Sequence, residues 1–363
     1  MKLRVTAPLL NIRRDVPAIR EDNFIGNLTA GTEFFVDTEV TGEKLEGIDR
    51  WFKDHQNRFY WGGGAEEIQD TVQSGKKDWG FTDFNIESLW AQTKGERVKV
   101  AILDSGLKLN HPEFSSKAGI TYYNALTDGI TAADCDDVDG HGTNCAGILC
   151  AAGQTAFGVA PNIELMVVKV MERENGVQNQ HVVKGLEKAI AANAEIISIS
   201  LSLVKDPVLD KIQQTITAAA AKNIIVVAAA GNSGSVPFPV DKFPAAFTEC
   251  LSVGGINRSK FRSRFSSKSN TLKIMGPGED VQGFFAPASR LNGTSFSTPF
   301  VAGAVALLLS AAKAKGKTLS VETIHAVLKQ TASKDIPGNA FSSVEYGWGL
   351  LNAVDALNQL NLT

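Results

Sequence analysis

The chain has 363 residues, 44% of them hydrophobic and 21% charged, with a net charge of −3. That composition excludes collagen-like and disordered chains, and the length asks for one large domain plus a small one. With no block of Lys or Arg, charge alone draws the protein neither to nucleic acid nor to an acidic membrane.

Residues 1–68 carry short apolar segments at Leu3–Val5, Leu9–Ile12, Phe34–Val36 and Phe59–Trp61. Gly26, Gly31 and Gly42 separate them and Gly62-Gly63-Gly64 closes the stretch, which predicts a small all-β barrel or meander. Asn11-Ile12-Arg13, then Ile25-Gly26-Asn27-Leu28 and Gly31-Thr32, resemble a bacterial SH3-like domain. The resemblance implies a cell-wall or peptide ligand for this region. Residues 69–82 are polar and turn-rich and read as a linker. The N-terminus carries Arg4, Arg13 and Arg14 without a long apolar stretch, so it does not read as a secretory signal.

Over 83–363 the pattern changes. Val98–Leu103, Leu165–Val170, Ile196–Ser200 and Ile224–Ala229 read as fully buried strands, with helical stretches at 141–152, 177–193 and 207–222. This alternation predicts an α/β domain, a mostly parallel sheet flanked by helices on both faces. Sites in such sheets lie beyond the carboxyl ends of the strands. The longest uncharged apolar run, Phe296–Ala312, is interrupted by Ser297, Thr298 and Pro299 and reads as a buried core helix rather than a membrane span. Cys135, Cys145, Cys150 and Cys250 fit no zinc spacing and are expected as buried thiols. Cys145 and Cys150 fall on different faces of one helix and should not bridge.

Four segments carry chemistry. In Ile102-Leu103-Asp104-Ser105-Gly106 a carboxylate ends a buried strand and the chain turns at once. In Asp139-Gly140-His141-Gly142-Thr143 a histidine opens a helix between two glycines, which leave its ring accessible. His55, His111, His181 and His325 have no such setting. In Asn292-Gly293-Thr294-Ser295 a serine begins a long helix of small residues, and Pro299 falls in the first turn, where a missing N–H costs nothing. In Ala229-Ala230-Gly231-Asn232 a buried strand ends in small residues and one side-chain amide. Alone, each has a plainer reading: a turn former, a structural histidine, a helix N-cap, a strand cap.

Together, in the order Asp, His, Ser, these segments resemble the subtilisin family over about residues 83–357, with Tyr346-Gly347-Trp348-Gly349 similar to its closing segment. The resemblance implies a serine endopeptidase with Asp104, His141 and Ser295 as triad and Asn232 in the oxyanion hole. It places a protein or peptide substrate between Asn175-Gly176-Val177 and Ser200-Leu201-Ser202, beside Ala230 and Gly231. Ser202 stands where the family commonly has Gly, and the short segment Ser233–Asp241 leaves the primary pocket undefined. The resemblance also implies no required cofactor. The family's calcium loop corresponds to Gly153–Gly158, which is short and lacks Asp, Glu and Asn, so that site is expected to be absent. Asp134, Asp136, Asp137 and Asp139 are a second place for a cation, with a solvated acidic loop as the plainer reading. Cys145 resembles the buried cysteine beside the catalytic histidine in the proteinase K-like branch. The family implies an extracellular or periplasmic location, while the missing signal leaves a cytoplasmic one open. Two alternatives stand beside the protease. One is a silent scaffold serving the SH3-like module, and the other a peptide ligase or macrocyclase.

Overall fold

The computed structural model describes residues 2–36, 38–54, 57–67, 77–115, 117–172, 176–286, 289–337 and 341–362. They fall into two compact units, 1–72 with a short stretch at 288–290, and 73–287 with 291–363.

The strands of the first unit are all antiparallel. A three-stranded sheet pairs Lys2–Val5 with Glu33–Phe35 and Ala65–Glu67. A five-stranded sheet runs Phe24–Thr29, Leu9–Arg14, Arg58–Trp61, Ile48–Lys53, Thr38–Leu45. Alternate residues turn inward, and Leu3, Val5, Leu10, Val36, Phe52 and Tyr60 form its core.

The second unit is built on seven parallel strands: β1 (Lys99–Asp104), β2 (Thr121–Asn124), β3 (Glu164–Lys169), β4 (Ile196–Ile199), β5 (Ile225–Ala229), β6 (Leu251–Ile256) and β7 (Ile274–Pro277). Their order across the sheet is β2-β3-β1-β4-β5-β6-β7. The chain leaves β1 toward one side and returns to its other side with β4, so a crevice opens at the carboxyl end of β1.

Both faces are covered, which is why the strands read as continuous apolar runs. On one face Leu103, Val168, Ile197 and Val226 meet α2 (Asn179–Ala191) and α3 (Leu209–Ala221) through Val182, Leu186, Ile212 and Ile216. On the other, Ile102, Val167, Ile196 and Val227 meet α1 (His141–Cys150) and α4 (Thr294–Ala314). Helices α5 (Val321–Thr331) and α6 (Ala353–Gln359) complete that layer. Helix α4 is long and apolar enough to cross a membrane, yet its most apolar window is 94% buried inside the unit. All four cysteines are buried and free.

Within the stretch read as a linker, 69–82, a short helix begins, Trp79–Asp83, which buries Trp79 and Phe81. Burial of two large aromatic side chains anchors that turn, which the polar residues around it disguised. Residues 68–76 lie outside the described residues.

Candidate active site

Asp104 is the last residue of β1, 1% exposed, and its Oδ1 accepts the Ser105 amide at 2.8 Å. The chain then turns at Gly106, whose φ of +120° favours glycine and where a Cβ would collide with the Cys135 carbonyl. Gly142, in the first turn of α1, sits against Gly106 O and Asp104 Cβ with no room for a side chain. These two glycines let the start of α1 close onto the strand end. The buried carboxylate of Asp137 holds it there, accepting from Gly140 N (2.8 Å), Thr143 N (2.8 Å), Thr143 Oγ1 (2.6 Å), Ser105 Oγ (2.9 Å) and Asp139 N (3.1 Å). A negative charge at a helix N-terminus is favourable besides.

So positioned, His141 Nδ1 lies 2.7 Å from Asp104 Oδ1. The carboxylate accepts a hydrogen bond from Nδ1–H, which leaves Nε2 of the neutral ring as an acceptor. Burial alone would lower the His141 pKa, but the adjacent Asp104 charge overrides it and holds the value well above 6.5. The imidazole packs against the Phe296 ring at 5.5 Å between centroids. Cys145 Sγ touches both sides of the site, 3.9 Å from His141 Nδ1 and 3.5 Å from the Ser295 carbonyl. Burial raises its pKa, which keeps it a neutral thiol.

Ser295 stands at the start of α4, where amides lack intrahelical partners. Its hydroxyl donates to the Ser200 carbonyl at 3.0 Å, and the Ser200 hydroxyl donates back to the Ser295 carbonyl at 2.7 Å. Among the described residues no hydrogen bond joins Ser295 Oγ to His141. Asn232 lies just beyond β5. Its Oδ1 accepts from Thr294 N (3.0 Å) and Thr294 Oγ1 (3.0 Å), which leaves Nδ2 as the exposed donor beside Ser295. Thr294 is fully buried, and its hydroxyl also accepts the Gly231 amide at 3.2 Å.

The structure brings Asp104 and His141 together, and Asn232 against the Thr294-Ser295 turn. Ser200 and Leu201 are buried at the exit of β4, with Ser202 exposed. Ala230 and Gly231 line the exit of β5. Gly176-Val177 pair with Met171-Glu172 in a small hairpin, and Asn175 lies outside the described residues, as does His55.

In the acidic loop each of the four carboxylates accepts hydrogen bonds from the protein. Asp137 is occupied as above, Asp136 Oδ1 accepts Leu109 N, Asp134 Oδ2 accepts Thr131 N and Oγ1, and Asp139 Oδ1 accepts His141 N. The loop at Gly153–Gly158 does not fit calcium. The amides of Gly153 (2.9 Å), Gln154 (3.0 Å) and Thr155 point inward onto the carboxylate of Glu113, which is 0% exposed. N–H donors gathered on an anion are the reverse of what a cation needs.

Glu113 escapes a reading by motif. Ser200 reads in the sequence only as a substrate contact, Thr294 only as part of the serine motif and Asp137 only as a member of the acidic loop; their positioning roles do not show there. Nothing in the sequence marks Glu113.

A parallel α/β sheet with a carboxylate–imidazole pair, a serine and a side-chain amide gathered at its carboxyl edge defines a hydrolase of the subtilisin type. The model of the subtilase family, peptidase S8, matches residues 95–349. An intracellular serine protease of Paenibacillus polymyxa is 33% identical over 290 residues, 75% of this chain and 85% of its own length. Subtilisin DY of Bacillus licheniformis is 35% identical over 264 residues, 71% and 90%. The structure of the prenylagaramide maturation protease PagA superposes with a TM-score of 0.64 at 26% identity, covering 77% of this chain and 98% of that one. The chain belongs to the subtilase family and is a serine protease, a peptide-bond hydrolase.

Proposed function

We propose that the chain is an endopeptidase that works through an acyl-enzyme on Ser295. The observation that carries this is the 2.7 Å Asp104–His141 contact at the strand edge, with the Asn232 amide fixed beside Ser295. Rotation about its Cα–Cβ bond takes Ser295 Oγ off the Ser200 carbonyl and toward His141 Nε2. His141 accepts the hydroxyl proton as Oγ bonds to the peptide carbonyl carbon, then returns it to the leaving amine. Asp104 fixes the tautomer and stabilises the imidazolium. Asn232 Nδ2 and the Ser295 amide receive the oxyanion. Water then releases the acyl group. The substrate backbone adds as a strand along Ser200–Ser202, with Asn175–Val177 opposite. No cation is part of this scheme. The N-terminal unit is proposed to be SH3-like, in keeping with its two small antiparallel sheets, and to take a cell-wall or peptide ligand.

The test is intact mass after incubation with a fluorophosphonate, wild type beside Ser295→Ala. A single adduct on wild type alone is expected. No adduct on folded wild type, or the same adduct on Ser295→Ala, would overturn the reading.

A further inference from the structure

The exits of β4 and β5 make two walls beside Ser295, Ser200–Leu203 and Ala230–Asn232. A third segment, Lys242-Phe243, spans them. The Phe243 carbonyl accepts the Leu203 amide at 2.8 Å, which ties it to the first wall. Against the second wall lies the stem of Lys242, with Cγ 2.6 Å and Cβ 3.3 Å from the place a Cβ would take at Gly231. Gly231 is itself fixed, with φ +95°, its amide on Thr294 Oγ1 at 3.2 Å and its carbonyl accepting Ser267 N at 2.9 Å. Lys242 therefore forms the floor between the walls, one residue from the wall that carries Asn232.

Its charge has no partner among the described residues. Among the described residues no carboxylate oxygen lies within 4.0 Å of Lys242 Nζ and no acceptor bonds it. The nearby acids are engaged elsewhere. Asp241 Oδ1 accepts from Ser269 Oγ (2.6 Å) and Thr271 Oγ1 (3.4 Å), and Asp206 Oδ1 from Asn179 Nδ2 (2.7 Å) and Val208 N (2.9 Å). A second cation, Lys205, sits over the Phe243 ring at 5.5 Å. Lys242 is half-buried, so a substrate side chain entering here removes water from an ammonium that needs a counter-charge.

We propose that Lys242 sets the specificity of the primary pocket, selecting an acidic side chain, Glu or Asp, on the residue whose carbonyl is attacked. This rests on the acyl-enzyme reading above. A carboxylate there gains a charge-assisted hydrogen bond that its amide analogue makes only weakly.

The test is cleavage of fluorogenic peptides identical except for Glu, Gln, Leu or Lys before the scissile bond. Wild type should prefer Glu to Gln by about ten- to a hundredfold in kcat/KM, and the ratio should shrink with added salt. In Lys242→Met the Glu/Gln ratio should fall to about one, and Lys242→Glu should favour Lys over Gln. Each ratio is taken within one variant, so partial unfolding cancels. A wild-type ratio near one, or an unchanged ratio in Lys242→Met, overturns the assignment while a Ser295 adduct still forms. Absence of both cleavage and adduct overturns the acyl-enzyme reading and the Lys242 assignment with it.

Discussion

Glu113 organises the loop that follows α1, and its contribution can be measured. Its buried carboxylate accepts three backbone amides, Gly153 and Gln154 on Oε2 and Thr155 on Oε1. In Glu113→Gln the new side-chain amide settles where it does least harm, facing Thr155. One bond to a charged acceptor is then lost and one buried N–H is left opposite another donor. A charged hydrogen bond contributes roughly 1.5–3 kcal/mol, and an unpaired buried donor costs about 1–3, so the variant should lose about 2.5–6 kcal/mol. Glu113→Ala removes all three and should lose more. For a unit of this size that is a fall in Tm of about 5–10 °C. The assay is thermal and urea unfolding of the full chain, wild type and variants, each with and without a calcium chelator. The chelator should leave wild type unmoved. A Glu113→Gln variant within about 0.5 kcal/mol of wild type, or a chelator that lowers the wild-type Tm as far as the substitution does, would refute the reasoning.

Four further outcomes follow from the structure. The Asp104 charge overrides burial and holds the His141 pKa well above 6.5. Because His141 must be neutral to accept a proton, kcat/KM should fall with decreasing pH around a midpoint above about 6.5. In Asp104→Asn the midpoint should drop and kcat fall by about 10⁴. Asn232→Ala should lower kcat by about 10²–10³, a range that comes from subtilisin itself. Thr294→Val keeps the volume but removes one of two donors on Asn232 Oδ1, so it should cost about fivefold in kcat, measured by steady-state kinetics. Finally, burial and then Lys273 push the His325 pKa down to about 4 from 6.5. The unfolded chain takes up this proton first, so stability is whole above pH 6.5 and is lost as pH falls toward 4, by on the order of 3 kcal/mol. His325→Leu should flatten that part of the stability–pH curve. A variant with the wild-type slope would count against the assignment.

Elements buried on both sides were plain in the sequence. Val98–Leu103 and Ile196–Ser200 are unbroken apolar runs, and the strands Lys99–Asp104 and Ile196–Ile199 fall on them. Strands Leu251–Ile256 and Ile274–Pro277 were not read, because Ser252, Gly254, Gly255, Gly276 and Pro277 dilute the apolar signal. Those small residues are forced by the core: a Cβ at Gly254 would meet Met275, and one at Gly276 would lie 3.1 Å from Val301. The candidate site was legible where one residue type in a fixed local frame carries the chemistry, as at His141 between two glycines. It was not legible where the partner comes from afar. Glu113 and its loop lie forty residues apart, and the Ser200–Ser295 pair ninety-five. No local pattern encodes such contacts, so only the fold reveals them.

The site also shows why so many of its neighbours are small. Asp104 and Asn232 sit at or just beyond the ends of central strands, while His141 and Ser295 sit at the starts of two buried helices. For four backbone ends to meet, α1 and α4 must approach the sheet and each other closely. A Cβ at Gly147 would strike Phe284, and one at Gly303 would crowd Val159 at 2.7 Å. Packing of this density resists displacement, because shifting one helix start moves every contact along it. The Cys145 sulfur packs between the two helix starts, against His141 on one side and the Ser295 carbonyl on the other. The helix starts that carry His141 and Ser295 are thus held by the hydrophobic core itself. Hydrogen bonds made with the Asp137 carboxylate, Thr294 and Ser200 then decide only which way each polar group points. Changes to those three should therefore alter rates more than they alter the fold, and changes to the glycines the reverse.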